Sequence, residues 1–212
     1  MEELKCLSAE EFAARTATSA PVPGGGSVAA LAGALAAALS EMVANLTIGK
    51  AKYAEVEDEM KELAAAGAAI RRELIEGIRK DSTSFGAYMK ALGMPKETES
   101  EKEARKAAMQ LGLKEASEAP LAIAEAAAGI FPIAEAVVLR GNTGAVSDGL
   151  VSAMLARSAV LSALLNVKIN LKSIKDETYA AKTAARVREL EELAIRSEQQ
   201  ILAASELTNQ LL

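Results

Sequence analysis

The stretch PVPGGGSVAALAGALAAAL, Pro21 to Leu39, places three consecutive glycines directly before the most apolar run of the chain. From Ser27 to about Gly49 the residues are apolar nearly all round, the pattern of a helix in the middle of a bundle rather than of one with a wet face. The unbroken apolar run, Val28 to Leu39, is 12 residues long and stops at Ser40 and Glu41, where a membrane span needs about 20. It therefore reads as a buried helix of a soluble protein with no membrane partner. Gly33 and Ala37 permit close helix approach, and so little polar surface on one helix predicts a homodimer that covers it.

Working outward, helix signals recur along the chain, and no segment alternates with period two between hairpin turns. Ser8 and Glu11 have capping-box spacing and open a short helix to about Thr18. A long helix is expected from about Ala54 to Leu92, then an exposed connection from Gly93 to Glu99, with a second capping box at Ser100 and Glu103. Pro120 should kink or interrupt the next helix, and Pro132 marks a further break. Beyond the loop RGNTGAVSDG, Arg140 to Gly149, helices are expected from about Asp148 to Ser173 and from Asp176 to about Gln210. The expectation is an all-α protein: a single domain over residues 1–212, built as an antiparallel multi-helix bundle, dimeric, with long kinked helices.

Composition narrows the function. Half of the 212 residues are hydrophobic but only 3% are aromatic, a helix-forming mixture rich in Ala and Leu. A formal charge of -5 without any basic block argues against nucleic acid as a partner. The single cysteine, Cys6, allows no internal disulfide, and no signal pattern opens the chain, so a cytoplasmic location is expected. The chain has no histidine, which removes the usual neutral-pH acid/base and the commonest metal ligand. Proton chemistry must then come from a carboxylate, Lys, Tyr or the lone Cys, and neither metal nor prosthetic group is expected.

Certain polar residues interrupt apolar faces. On the third helix a stripe runs Met60, Leu63, Gly67, Ile70, Leu74, Ile78, Phe85, Met89 and Leu92, and Asp81 falls on that same face. A carboxylate there is costly unless paired, and its pKa is liable to rise; it is either a functional group, a residue near a bundle end, or a cap on a neighbouring helix. On the helix after the second loop, Asp148, Ser152, Ser162, Asn166 and Asn170 share an arc of about 80°. That line is either a solvated face or a hydrogen-bonding wall for a polar ligand. Glu41 and Asn45 interrupt the second helix in the same way and could form a satisfied pair at a helix contact. Gly24, Gly25 and Gly26 allow positive φ and close backbone approach, and Ser27 is placed to cap the following helix. The loop lacks the GK[ST] ending of a phosphate loop and has no strand before it, so it is either a tight turn or a binding site of another kind.

Several blocks, in order, resemble the formiminotetrahydrofolate cyclodeaminase / methenyltetrahydrofolate cyclohydrolase family: PVPGGGSVAALAGALAAALSEMVANLTIGKAKY from Pro21, DSTSF from Asp81, EAPLAIAEAA from Glu118, GNTGAVSD from Gly141 and NVKINL from Asn166. The resemblance implies an all-helical dimer that acts on the carbon bridging N5 and N10 of a tetrahydrofolate substrate. Either ammonia leaves a 5-formimino group as the ring closes to 5,10-methenyltetrahydrofolate, or water opens the methenyl ring to 10-formyltetrahydrofolate. It implies Asp81 as the general acid/base. Pro23, Gly24, Gly25, Gly26 and Ser27 would lie against the ligand, Asn142, Asp148, Asn166 and Asn170 would hydrogen-bond it or orient Asp81, and Lys50 would meet its glutamate tail, single or polyglutamylated. A non-catalytic folate-binding or structural helical dimer is the alternative.

Overall fold

The computed structural model describes residues 4–208, and among these every regular element is helical. Seven α-helices follow in order: α1 (Ala9–Thr16), α2 (Gly25–Thr47), α3 (Glu57–Leu92), α4 (Glu99–Ala128), α5 (Phe131–Arg140), α6 (Val146–Leu171) and α7 (Glu177–Ala203). Short 3-10 segments precede α1, α3 and α6.

Helix ends follow local chemistry. Ser8 and Glu11 form the expected capping box on α1. On α4 the box is made by Thr98 and Glu101, not by Ser100 and Glu103: the same spacing occurs two residues earlier, and the earlier pair starts the helix. α4 then runs for 30 residues straight through Pro120, so that proline does not interrupt it. Pro132 instead sits in the first turn of α5, where its missing N–H costs nothing. Gly49, with φ of 76°, follows the end of α2 in a conformation that favours glycine and turns the chain toward α3. Asp176 caps α7, which ends at Ala203, short of the expected end near Gln210, a residue that itself lies outside the described ones.

Four helices make the core as a ring of antiparallel neighbours. α2 lies against α3 with Ser27 beside Asp81 and Gly33 beside Leu74. α2 lies against α6 with Gly33 beside Ala159 and Ser40 bonded to Ser152 at 2.7 Å. α4 closes the ring, with Tyr88 of α3 against Gly112 and Asn170 of α6 bonded to Ala116. The ring stays tight because α2 turns alanines inward on nearly every side. A Cβ on Gly33 would stand 3.1 Å from Leu74 and 3.3 Å from Ala159, so Gly33 is a contact within the chain, as is Ala37 beside Gly67, rather than part of a surface for a partner. Larger side chains that reach into this core, Leu74 and Ile78 among them, each contribute about 1.5–3 kcal/mol by leaving water. α7 packs outside on α6 through the ion pairs Arg157–Glu198 and Lys168–Glu191.

The membrane reading needs correction on one point. Ser40 and Glu41 do not end α2, and by length and composition three stretches among the described residues could cross a membrane: Gly25–Thr47, Glu99–Arg140 and Thr143–Leu171. About half of each apolar window is buried inside the bundle, and α2 continues past Ser40 and Glu41 with Ser40 bonded to Ser152 and Glu41 to Arg71 at 2.8 Å. Exposed apolar side chains remain on all three stretches: Val28, Leu35, Met42 and Leu46 on α2, Val151, Met154, Leu165 and Ile169 on α6, forming a stripe on each of these helices, and Leu111 and Leu139 on α4 and α5.

Candidate active site

A cavity of about 220 Å³ opens where the start of α2 meets the middle of α3 and the end of α6. The approach to α2 supplies Pro21, Val22 and Gly24 to Gly26; α3 supplies Asp81, Ser84 and Phe85; α4 supplies Ala116; α6 supplies Asn166, Ile169 and Asn170.

The glycines are there for space. None of Gly24 to Gly26 has positive φ, so the expectation of a left-handed loop is not met. Instead the chain enters α2 directly, with Gly24 as N-cap and no capping side chain of its own. A Cβ on Gly26 would lie 2.1 Å from Asp81 Oδ1 and 2.6 Å from its Cγ: the carboxylate occupies the room that a side chain would need. A Cβ on Gly25 would stand 3.0 Å from Asn166 Nδ2. Gly24 meets nothing closer than 3.4 Å, an ordinary contact.

Ser27, expected to cap α2 by itself, is fully buried in the first turn, and its hydroxyl donates to Asp81 Oδ2 at 2.8 Å. Asp81 thereby does from α3 what no side chain of α2 does, placing negative charge on the open N–H end of the helix. Burial pushes the Asp81 pKa up from the usual carboxylate value, while the Ser27 hydroxyl and backbone N–H pull it down; burial is the larger influence. The reading of Asp81 as a cap on a neighbouring helix is met by this geometry, and the same carboxylate lines the cavity. Its neighbours among the lining residues of α2, α4 and α6 carry no charge.

Asn166 and Asn170 come to the same wall. Asn166 Nδ2 donates to the Ser162 carbonyl at 2.9 Å, and Asn170 Nδ2 to that of Ala116 at 2.7 Å. Each amide is thus held in place with its oxygen and a second N–H still to offer. The rest of the expected polar line divides. Ser152 is buried and bonded to Ser40 and to the Ala36 carbonyl, and Asp148 lies at the other end of α6, about 27 Å from Asn166 by helical rise. A shared arc is not a shared site when the helix is that long.

Pro23, Lys50, Asn142 and Asp148 are not brought to the cavity. Pro23 is buried behind the loop while Pro21 and Val22 face the cavity. Lys50 is exposed past the far end of α2. Asn142 ties the far ends of α2 and α5 together: its backbone N–H bonds Thr47 Oγ1 at 2.8 Å, its Nδ2 the Leu46 carbonyl at 3.1 Å, and its Oδ1 accepts from Gly144. Beside it, Tyr53 and Thr143 share hydrogen bonds that pull the Tyr53 phenol down to about 8. Sequence reading missed Pro21, Val22, Ser84, Phe85, Ala116 and Ile169. Ser84 and Phe85 were open to discovery at three and four residues from Asp81, and Ile169 between the two asparagines; Ala116 had no local signal. A second cleft of about 420 Å³ between α4 and α7 holds Glu118, Tyr179 and Lys182, but has no backbone pressed against a carboxylate.

Fold and site together define an all-helical bundle with a small cavity beside one half-buried carboxylate. The family model described as formiminotransferase-cyclodeaminase matches residues 8–189, and the chain belongs to that family. It is 43% identical to a methenyltetrahydrofolate cyclohydrolase of Methylorubrum extorquens over 184 residues, which are 87% of each chain. It is 35% identical to the formimidoyltransferase-cyclodeaminase of Sus scrofa, covering 84% of this chain but only 33% of that longer protein. Among solved structures, formiminotetrahydrofolate cyclodeaminase from Thermotoga maritima superposes with a TM-score of 0.87 at 32% identity, covering 99% of both chains.

Proposed function

We propose that this protein is a one-carbon enzyme that opens 5,10-methenyltetrahydrofolate with water, with Asp81 as general acid/base. The observation that carries this reading is the position of Asp81: half-buried, raised in pKa, anchored by Ser27, and at the wall of a cavity whose other polar groups are neutral amides. The methenyl group is cationic, so a carboxylate beside it attracts the substrate and stabilises the ion. Water attacks that carbon while Asp81 accepts one of its protons. The bond from the carbon to N5 then breaks, N5 keeps the electron pair and takes the proton from Asp81, and loss of the hydroxyl proton leaves the formyl group on N10. Asn166 and Asn170 hold the donors and acceptors of the pterin edge. The steps written here use the chain's own side chains and water.

Likeness to the Methylorubrum protein over nearly its whole length favours the hydrolytic reaction. The structural match to the Thermotoga enzyme favours a second reading, ring closure with loss of ammonia, which passes through the same tetrahedral carbon. An absorbance assay for methenyltetrahydrofolate decides between them: loss of signal from that compound establishes the first, gain of signal from 5-formiminotetrahydrofolate the second, and no change in either refutes both. The working form is a homodimer. Leu35, Leu165 and Ile169 are 53%, 64% and 60% exposed on the outer sides of α2 and α6, apolar surface that a second copy would remove from water. Sedimentation as a monomer at micromolar concentration would refute this.

A further inference from the structure

Two of the sequence blocks that carry the family resemblance, TIGKAKY and GNTGAVSD, meet in space, but at the wrong end of the molecule for the cavity. Lys52 Nζ reaches Thr143 Oγ1 at 3.4 Å and lies over the Tyr53 ring, whose hydroxyl bonds Thr143. This cluster is separated from the cavity by the length of α2, about 33 Å. Lys50 and Lys52 are exposed there, beside the half-buried Tyr53.

The cavity is unfinished in a complementary way. At about 220 Å³ it is smaller than the roughly 300–1,000 Å³ of sites that enclose a whole ligand. Its lining includes Asp81 and no Lys or Arg, although a folate ends in carboxylates. Its rim also runs into the exposed apolar stripes: Ile169 belongs to the rim and to the α6 stripe, and Val28, on the α2 stripe, stands one turn beyond Gly25. At the other end the α2 stripe continues through Met42 and Leu46 to the turn that carries Lys50.

A two-fold axis across the middle of these stripes, near Leu35 and Met154, would lay α2 antiparallel on its copy. Such an axis brings the lysine end of each chain to the cavity end of the other. The alternative, an axis along the helices, sets the lysines of both chains side by side and leaves the cavities uncompensated, so charge favours the antiparallel form. We propose that the active site is completed across the dimer, with Lys50 of the partner subunit and Lys52 of the partner subunit binding the carboxylate tail of the substrate held by Asp81, Asn166 and Asn170. This rests on the folate reading above for the ligand, but not for the arrangement.

The test uses two differently tagged chains, one with Asp81→Asn and the other with Lys50→Glu and Lys52→Glu, co-expressed and purified as the mixed dimer. The Asp81→Asn homodimer is expected to be nearly inactive. The lysine homodimer should raise KM about tenfold with kcat within about threefold of the parent. In the mixed dimer one intact site forms, so KM returns to the parent value with about half the parent kcat per dimer. A mixed dimer that keeps the raised KM overturns the proposal, as does a lysine homodimer with unchanged KM. If the parent turns over neither folate, the reaction reading has failed, and a cross-link decides the arrangement. Cys6→Ser chains bearing Lys50→Cys are paired with Cys6→Ser chains bearing Ile169→Cys and treated with a short bismaleimide. Joined chains support the antiparallel dimer, and unjoined chains overturn it.

Discussion

The two ends of the α2–α6 pair are made of similar residue types and do different work. At one end the polar groups Asp81, Asn166 and Asn170 each have a hydrogen bond that fixes them and a face left open to a cavity. At the other, Asn142 spends its backbone N–H, its amide N–H and its amide oxygen on tying the chain together. An asparagine becomes a candidate for ligand binding when hydrogen-bonding capacity is left over beside open space, and a structural clamp when it is not.

The sharpest way to break this contrast is Asp81→Asn. Asn keeps the size but neither exchanges a proton nor carries charge, so turnover should fall about 100- to 10,000-fold in the absorbance assay while the protein stays folded. Stability should move the other way. Because burial raises the pKa of Asp81 in the folded state, ionising it in place is unfavourable, a penalty present at neutral pH and absent once the pH falls below the ordinary carboxylate range. The variant should therefore melt at or above the parent temperature near pH 7, with the gap closing in acid; a lower melting temperature at neutral pH would show that capping α2 outweighs burial.

Gly26→Ala should come next. Its methyl group claims the space of the Asp81 carboxylate, and a displacement of about 1 Å can cost about 100-fold in rate. Gly24→Ala, with ordinary contacts only, should stay within a few-fold of the parent. Equal losses in the two would mean that the loop acts as a unit and not through Gly26. Ser27→Ala removes a donor that favours the charged form of Asp81, so the acid limb of the kcat/KM profile should shift to higher pH, with activity recovering as pH rises. An unmoved limb in a folded variant would make Ser27 a packing residue. The smallest effect is expected at the clamp. Asn142→Ala should lower stability by about 1–2 kcal/mol, a few degrees in melting temperature for a chain of this size, and leave kcat within about twofold. A large loss of kcat there would place Asn142 in the site.

The sequence by itself determined the all-helical class and most helix positions, because apolar periodicity, caps and glycine or proline breaks act within a few residues of where they are written. It also singled out Asp81, since a carboxylate on an apolar stripe is visible in one helix alone. It misplaced the capping box on α4, because two overlapping copies of the same spacing stand side by side and only the folded start of the helix selects one. Tertiary structure decided what the polar residues are for. Gly26 is glycine because a carboxylate from another helix, 55 residues along the chain, needs its space, and Ser27 left its own helix end uncapped to bond that same group. Asp148 and Asn166 share a helical face by angle and are parted by length, which no arc reveals. Angles around a helix are a local property, whereas the distance at which two helices cross, and the residues that meet there, depend on every side chain packed between them.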